Sequence, residues 1–138
     1  MKAHARTIRL TLLAAAALAF LAGCVTATKE IPSGLSVSAI FQRAQEAVDV
    51  NDYALGVRYY SLVKDSYPDD VTHMVWASYE IAFLSHKMGK NAEALTLVSA
   101  LLDAYAGKWD SLPPETAAPR VLAENLKTHL ESLTQATK

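Results

Sequence analysis

The sequence predicts an all-α domain over residues 36–138. Two observations carry this prediction. From Ser36 onward, apolar side chains recur every three or four residues, which is the period of a helix with one buried face rather than the alternation of a half-buried strand. In addition, Asn, Asp, Gly and Pro interrupt the pattern at places where helices would begin or end.

The first two helices should meet at Asn51-Asp52, which can end the first helix and cap the second. Pro68 should end the second helix, because its nitrogen carries no hydrogen for the helical ladder. The residues expected on the apolar stripes are Val37, Ile40, Phe41, Ala44 and Val48 in the first helix, and Gly56, Tyr60, Val63 and Tyr67 in the second.

A third helix should span roughly residues 71–88, after the cap-type residues Asp69, Asp70 and Thr72. Gly89 suits the position just beyond its end, since glycine adopts a positive φ without a Cβ clash. Asn91 can cap a fourth helix, which Gly107 should end. The expected stripe of the fourth helix is Ala94, Val98, Leu101 and Tyr105.

Residues 108–115 should form a loop, because Pro113-Pro114 breaks regular structure. A fifth helix should follow Thr116, with Pro119 tolerated in its first turn. Its expected stripe is Leu122, Leu126, Leu130 and Leu133, with His129 beside it.

The first two helices and the next two can be superposed with a constant offset. The matched pairs, each 38 residues apart, are Ala44 and Ala82, Gly56 and Ala94, Tyr60 and Val98, Val63 and Leu101, and Tyr67 and Tyr105. Small residues recur where the two helices of a hairpin would cross closely. The sequence therefore predicts a helical-hairpin repeat.

This repeat resembles the tetratricopeptide (TPR) repeat, most closely at residues 88–95, where a Gly turn leads into a helix with a small packing residue. Pro68 also lies twelve residues after Gly56, where that family has its terminal proline. The resemblance implies two TPR-like hairpins stacked as a short solenoid, with the fifth helix as a C-terminal cap. The period is 38 residues rather than the family's 34, with the extra residues expected around 69–72, and Ala106 replaces the second proline.

Residues 1–23 have the pattern of a cleaved signal peptide. Three basic residues and no acidic residue open the chain, and the thirteen-residue apolar run Leu10–Ala22 leads to the small residue Gly23. A bilayer-spanning helix needs roughly 20 apolar residues, so this run is too short to cross comfortably. The alternative is a short buried helix of a soluble domain.

The run Leu21-Ala22-Gly23-Cys24 resembles the bacterial lipobox, and Cys24 is the only cysteine. The resemblance implies a diacylglycerol on the Cys24 thiol, cleavage before Cys24, and an acyl chain such as palmitate on the new amine. Val25 takes the place of the Asp that retains lipoproteins at the inner membrane, which implies an exported protein on the periplasmic side of the outer membrane. Residues 24–35 would form the lipidated N-terminus and a flexible tether. Alternatively, Ile31 and Leu35 dock on the domain.

The net charge argues against nucleic-acid binding, and the lack of catalytic motifs argues against enzyme activity. Removal of residues 1–23 takes three of the 13 basic residues and leaves 10 against 14 acidic ones, so a basic nucleic-acid surface is not expected. The chain has no nucleophile elbow, P-loop or dinucleotide motif, and its histidines lack metal-ligand spacing. We therefore expect no enzyme activity, cofactor or metal.

In TPR arrays, the first helix of each hairpin faces a concave groove. Carried over by position, the groove candidates are Phe41, Gln45, Val48, Trp76, Tyr79, Phe83, His86 and Lys87. Three of them are aromatic and follow i, i+3, i+7 spacing: Trp76, Tyr79 and Phe83. Such a groove suits a partner peptide or helix. Alternatively, the fifth helix or the tether covers this face.

The resulting prediction is a non-catalytic, lipid-anchored adaptor that holds an envelope protein at the membrane, as in the assembly of a secretion or pilus complex. A second hypothesis is a carrier or sensor of a small apolar ligand in a cavity of the helical domain. That cavity would be lined by residues such as Phe83, Leu84, Leu101 and Leu126. A third, cell-wall hydrolysis, lacks a recognisable catalytic constellation.

Overall fold

The computed structural model describes residues 30–136, so the predicted signal peptide and Cys24 lie outside the described residues. Two short 3₁₀ turns, Trp109–Ser111 and Pro114–Thr116, precede the last of five helices. The helices are α1 (Val37–Asp49), α2 (Tyr53–Ser66), α3 (Val71–Lys87), α4 (Asn91–Ala104) and α5 (Ala117–Ala136). No strand occurs in residues 30–136, which confirms the all-α class. Over the same range, no helix is long and apolar enough to cross a bilayer.

Each helix packs on the next one in the chain, and α5 also contacts α3. Two clusters of buried side chains result. The first lies among α1, α2 and α3, and its central residues include Ile40, Tyr60 and Leu84. The second lies among α3, α4 and α5 and includes Val98 and Leu130. Because α3 contributes to both clusters, two of its faces are buried and the helix is apolar over most of its circumference.

The ends of α1 and α3 repeat the same hydrogen-bonded motif 38 residues apart. The amides of Asn51 and Asp52 donate to the carbonyls of Val48 (2.9 Å) and Ala47 (2.8 Å). At α3, the amides of Gly89 and Lys90 donate in the same pattern, to His86 (2.8 Å) and Ser85 (3.0 Å). Asn51 and Gly89 both have a positive φ, 59° and 77°, as this C-terminal motif requires.

The longer period comes from one additional turn of helix. α1 has 13 residues and α3 has 17, although both helices end at equivalent positions. The four additional residues therefore extend the start of α3, over 71–74, close to where the sequence placed them. Asp70 caps this start, because its carboxylate accepts from the His73 amide at 3.1 Å.

At Gly56, α2 lies close to both α1 and α3. A Cβ at this position would lie 3.0 Å from Leu84 Cδ1 and 3.2 Å from Val48 Cγ2. The equivalent residue in the second hairpin, Ala94, is fully buried. The small residues thus lie where the sequence predicted a close crossing.

Three local predictions differ from the structure. α4 begins at Asn91 with Lys90 at the capping position, so Asn91 does not cap it with its side chain. The predicted loop, 108–115, instead contains the 3₁₀ turn Trp109–Ser111 and the start of the 3₁₀ turn Pro114–Thr116. On α5, Leu122 is 39% exposed, and the buried stripe instead contains Ala123. The buried residues of α5 are spaced by four, three and four residues: Pro119, Ala123, Leu126 and Leu130. Leu122 comes one residue before Ala123, so its side chain is rotated about 100° away from the core.

The segment before α1 is docked on the first cluster. Ile31 and Leu35 are partly buried against it. The Tyr67 hydroxyl donates to the Leu35 carbonyl at 2.6 Å. For this part of the predicted tether, 31–35, the structure thus has the docked arrangement.

Candidate partner-binding surface on α1 and α3

One face of α3 lies between the two faces that form the cores. It carries Trp76, Glu80, Phe83 and Lys87, which follow i, i+4, i+7, i+11 spacing and are here called the α3 strip. Trp76, Glu80 and Phe83 are partly buried, and Lys87 is exposed. Although both neighbouring faces of α3 are used for packing, this strip keeps enough exposed surface to meet solvent or a partner.

The edge of α1 borders this strip at its N-terminal end. The Phe41 ring packs edge-on against Tyr60 of α2 and against His73 of α3, with both centroid distances 5.2 Å. Gln45, exposed on α1, donates through Nε2 to the Tyr60 hydroxyl. Aromatic and polar atoms from three helices therefore meet beside the α3 strip.

Asp70 and His73 form a hydrogen-bonded pair at the N-terminal end of α3. His73 Nδ1 lies 2.7 Å from Asp70 Oδ2. The hydrogen bond from the His73 backbone amide lowers the pKa of Asp70, and the His73 side chain adds to this effect. Both groups thus have a partner within the domain.

Glu80 differs from that pair. Among residues 30–136, no hydrogen bond or ion pair engages its carboxylate. Burial raises the pKa of Glu80, because a low-polarity environment disfavours the charged form. Its oxygens still reach solvent, because every fully buried side-chain oxygen in the described part of the chain has a partner.

The charge of this carboxylate contributes to the raised pKa values of two tyrosines. Burial, with the Glu80 charge as the second cause, raises the pKa of Tyr60 to about 12. The same two causes raise the pKa of Tyr79. The Glu80 charge therefore acts on a phenol group of α2 and on one of α3.

Five of the eight predicted groove residues lie on this surface. Trp76, Phe83 and Lys87 lie on the α3 strip, and Phe41 and Gln45 lie on the neighbouring edge of α1.

Tyr79, Val48 and His86 do not belong to this surface. Tyr79 is only 8% exposed and lies in the second core, because its position on α3 turns toward the core formed with α4 and α5. Val48 packs toward Gly56. His86 Nδ1 lies 2.8 Å from Asn91 Oδ1, and its ring is 5.3 Å from that of His129 on α5.

The predicted aromatic face is thus partly covered. Tyr79 stacks on Phe83 with ring centroids 6.0 Å apart, and Trp76 meets Tyr79 edge-on at 6.4 Å. The cluster that holds Tyr79 includes Leu126 and Leu130 of α5. Helix α5 therefore covers the Tyr79 side, while the Trp76 and Phe83 rings keep part of their surface exposed.

Glu80 belongs to this surface but is not among the predicted groove residues. The signal was present in the spacing, since Glu80 is four residues after Trp76 and three before Phe83.

A second surface contains the other tryptophan. The Arg120 guanidinium lies 5.5 Å from the centre of the Trp109 ring. Arg120 Nε lies 3.0 Å from Glu124 Oε1, and Nη1 lies 3.9 Å from Asp110 Oδ1. These four residues, here called the Trp109–Arg120 patch, line a cleft of about 380 Å³. Their opposite charges are already paired.

No group of three or more His, Cys, Asp or Glu side chains within residues 30–136 is arranged to hold a metal ion. No protein-family model, curated protein or solved structure matches the chain.

Proposed function

We propose that this protein is a lipid-anchored adaptor, which binds a partner protein of the cell envelope through the α3 strip and the edge of α1. The observation that carries the proposal is the pair of aromatic rings, Trp76 and Phe83, which remain partly exposed beside a polar edge. Partly exposed aromatic anchors bordered by polar groups are typical of surfaces where a few residues supply most of the binding energy.

The repeated hairpins support a TPR-like solenoid as the scaffold of this surface. The equivalent helix ends, the equivalent C-terminal motifs and the small residues at equivalent crossings all recur 38 residues apart. In such a scaffold, α1 and α3 would present one shared surface to a partner, and α5 would cap the array.

The anchor in this proposal is the lipobox cysteine, Cys24, which lies outside the described residues. The docked segment 31–35 leaves only residues 25–30 between the lipid and the domain. Such a short connection would hold the binding surface close to the membrane, on the periplasmic side of the outer membrane, with a partner that sets its orientation.

The ligand-carrier hypothesis receives less support. Leu84, Leu101 and Leu126, three of the four residues expected to line a cavity, are buried in the two packed clusters. Leu101 does border a cleft of about 230 Å³, which lies on the side of α3 toward α2 and α4. The polar residues that border this cleft include Lys64, which is exposed, and Ser78.

In-cell photocrosslinking tests the adaptor proposal. A photoreactive residue at Lys87, on the strip, should capture a defined envelope protein, while the same residue at Asn125, exposed on α5, should not. Cys24→Ala should abolish lipid labelling and reduce capture, because the domain loses its place at the membrane. Equal capture from Lys87 and Asn125, or capture from neither, would contradict the adaptor function, and lipid labelling that survives Cys24→Ala would contradict the anchor.

A further inference from the structure

We infer that the partner docks a basic side chain, Lys or Arg, on Glu80, between the rings of Trp76 and Phe83. This inference rests on the adaptor function proposed above and adds the chemistry of the contact. The first observation that supports it is that the Glu80 carboxylate has no partner within residues 30–136. It is partly buried on the α3 strip, and within the described part of the chain it has neither a hydrogen bond nor an ion pair.

Two basic residues of α3, one on each side of Glu80 along the helix, do not pair with its carboxylate. Lys87, seven residues further along the strip, directs its ammonium group toward the Tyr53 ring, 6.0 Å from the ring centre. His73, seven residues earlier, is paired with Asp70. Glu80 therefore lies between Lys87 and His73, which both have other contacts, and its oxygens reach solvent.

The burial of Glu80 has a cost that a cation would offset. Partial desolvation disfavours the carboxylate, as the raised pKa of Glu80 indicates. A partner that covers the strip would remove more water and increase this cost, unless it brought a positive charge or a hydrogen-bond donor. An apolar segment would leave the carboxylate unpaired, and an acidic one would add repulsion. A basic side chain satisfies the carboxylate as the interface closes.

The flanking rings favour the same ligand. Trp76 precedes Glu80 by four residues and Phe83 follows it by three, so both are its neighbours on the helix surface. A guanidinium or ammonium group attracted to the carboxylate would lie within reach of these rings, and a cation over an aromatic face gains further attraction. On the α1 side, the Phe41 ring provides an apolar border for the aliphatic part of a Lys or Arg side chain.

Peptide binding to the purified full-length chain in detergent tests the inference. The probes are a short amphipathic peptide with lysines on one face and a twin with glutamates in their place, both without aromatic residues. In a Trp109→Phe background, Trp76 is the single tryptophan and its fluorescence reports binding. The basic peptide should bind, the acidic twin should not, and Glu80→Gln should weaken binding by about tenfold. The matched control is Glu131→Gln, which removes the same charge from an exposed position on α5 and should leave binding unchanged.

Three results would overturn the inference: no binding of the basic peptide, equal binding of both peptides, or equal effects of Glu80→Gln and Glu131→Gln. The adaptor proposal has a separate readout. If the crosslinker at Lys87 still captures its partner from a Glu80→Gln chain as well as from the unchanged chain, the adaptor function stands and the basic-ligand inference fails.

Discussion

Two surfaces of this protein place a tryptophan beside a charged side chain, and they differ in whether that charge has a partner. In the Trp109–Arg120 patch, the guanidinium of Arg120 contacts the ring and pairs with Glu124 at 3.0 Å. On the α3 strip, Glu80 lies one turn from Trp76, and no ion pair engages it in residues 30–136. The comparison teaches that aromatic and charged residues together do not define a binding surface. We propose that a charge without an ion pair beside a partly exposed ring marks such a surface.

The positions of the two surfaces in the fold explain why Arg120 is paired and Glu80 is not. The Trp109–Arg120 patch forms where the two 3₁₀ turns meet the first turns of α5, and its charges are close enough along the chain to pair locally. Helix α3 contacts α2, α4 and α5, and its buried faces supply residues to both cores. Glu80 therefore lies between two packed cores, and we propose that a compensating cation comes from outside the domain.

The largest effect that we predict comes from replacing one tryptophan at a time. Trp76→Ala should weaken binding of the basic peptide by about thirtyfold, because it removes an aromatic anchor at the centre of the surface. Trp109→Ala should change affinity by less than about twofold, although it removes the same side chain from a partly buried position. Isothermal titration calorimetry measures both. If the two variants lose the same affinity, the α3 strip is not the binding surface and the comparison fails.

Much of the fold could be predicted from the sequence, because helix ends depend on local chemistry. Asp52 and Asp70 cap their helices as their residue type suggests, and Gly89 adopts the positive φ that ends α3. The 38-residue offset also placed Gly56 and Ala94 at buried crossings. Leu122 was misplaced because the four leucines of α5 were taken as its buried stripe, whereas packing on α3 and α4 buries the face that contains Ala123.

The surface was harder to predict than the fold. Spacing placed Trp76, Tyr79 and Phe83 on one face, yet the edge of that face turns into the second core, where α5 buries Tyr79. His86 was likewise assigned to the groove, whereas its neighbours are Asn91 and His129. Where a helix packs on both sides, a shift of one residue moves a side chain from surface to core, and the positions of the neighbouring helices decide which one results.

A smaller effect should follow from unpairing the charge on the second surface. Glu124→Gln removes the closer partner of Arg120 and leaves the guanidinium over Trp109 with only the 3.9 Å contact to Asp110. The acidic twin peptide, which should not bind the unchanged chain, should then bind weakly at this patch, because the exposed guanidinium has lost its closer partner. Fluorescence of Trp109 in a Trp76→Phe background measures it. No gain over Glu131→Gln would show that pairing within the patch does not control its availability.

The smallest predicted effect concerns stability, and it tests whether the burial of Glu80 is a cost to the free domain. The folded-state pKa of Glu80 is raised above its ordinary value of 4.5, so the folded state holds the Glu80 proton more tightly than the unfolded state does. The stability that this proton contributes is present below pH 4.5 and is lost as the pH rises through the folded-state pKa. Glu80→Gln, which stays neutral, should therefore raise the melting temperature at pH 7 by roughly 1–4 °C.

The stability gain should shrink toward zero as the pH falls below 4.5, while Glu131→Gln should give no such pattern. Asp70 titrates in the opposite sense, because its lowered pKa makes its contribution fade in acid, but it is present in both variants and cancels from the difference. Thermal unfolding followed by circular dichroism across this pH range provides the measurement. A change that stabilises the free domain and weakens peptide binding is what a carboxylate kept for a partner should show. If Glu80→Gln instead destabilises the domain at pH 7, Glu80 has a structural partner and its place in the binding surface is lost.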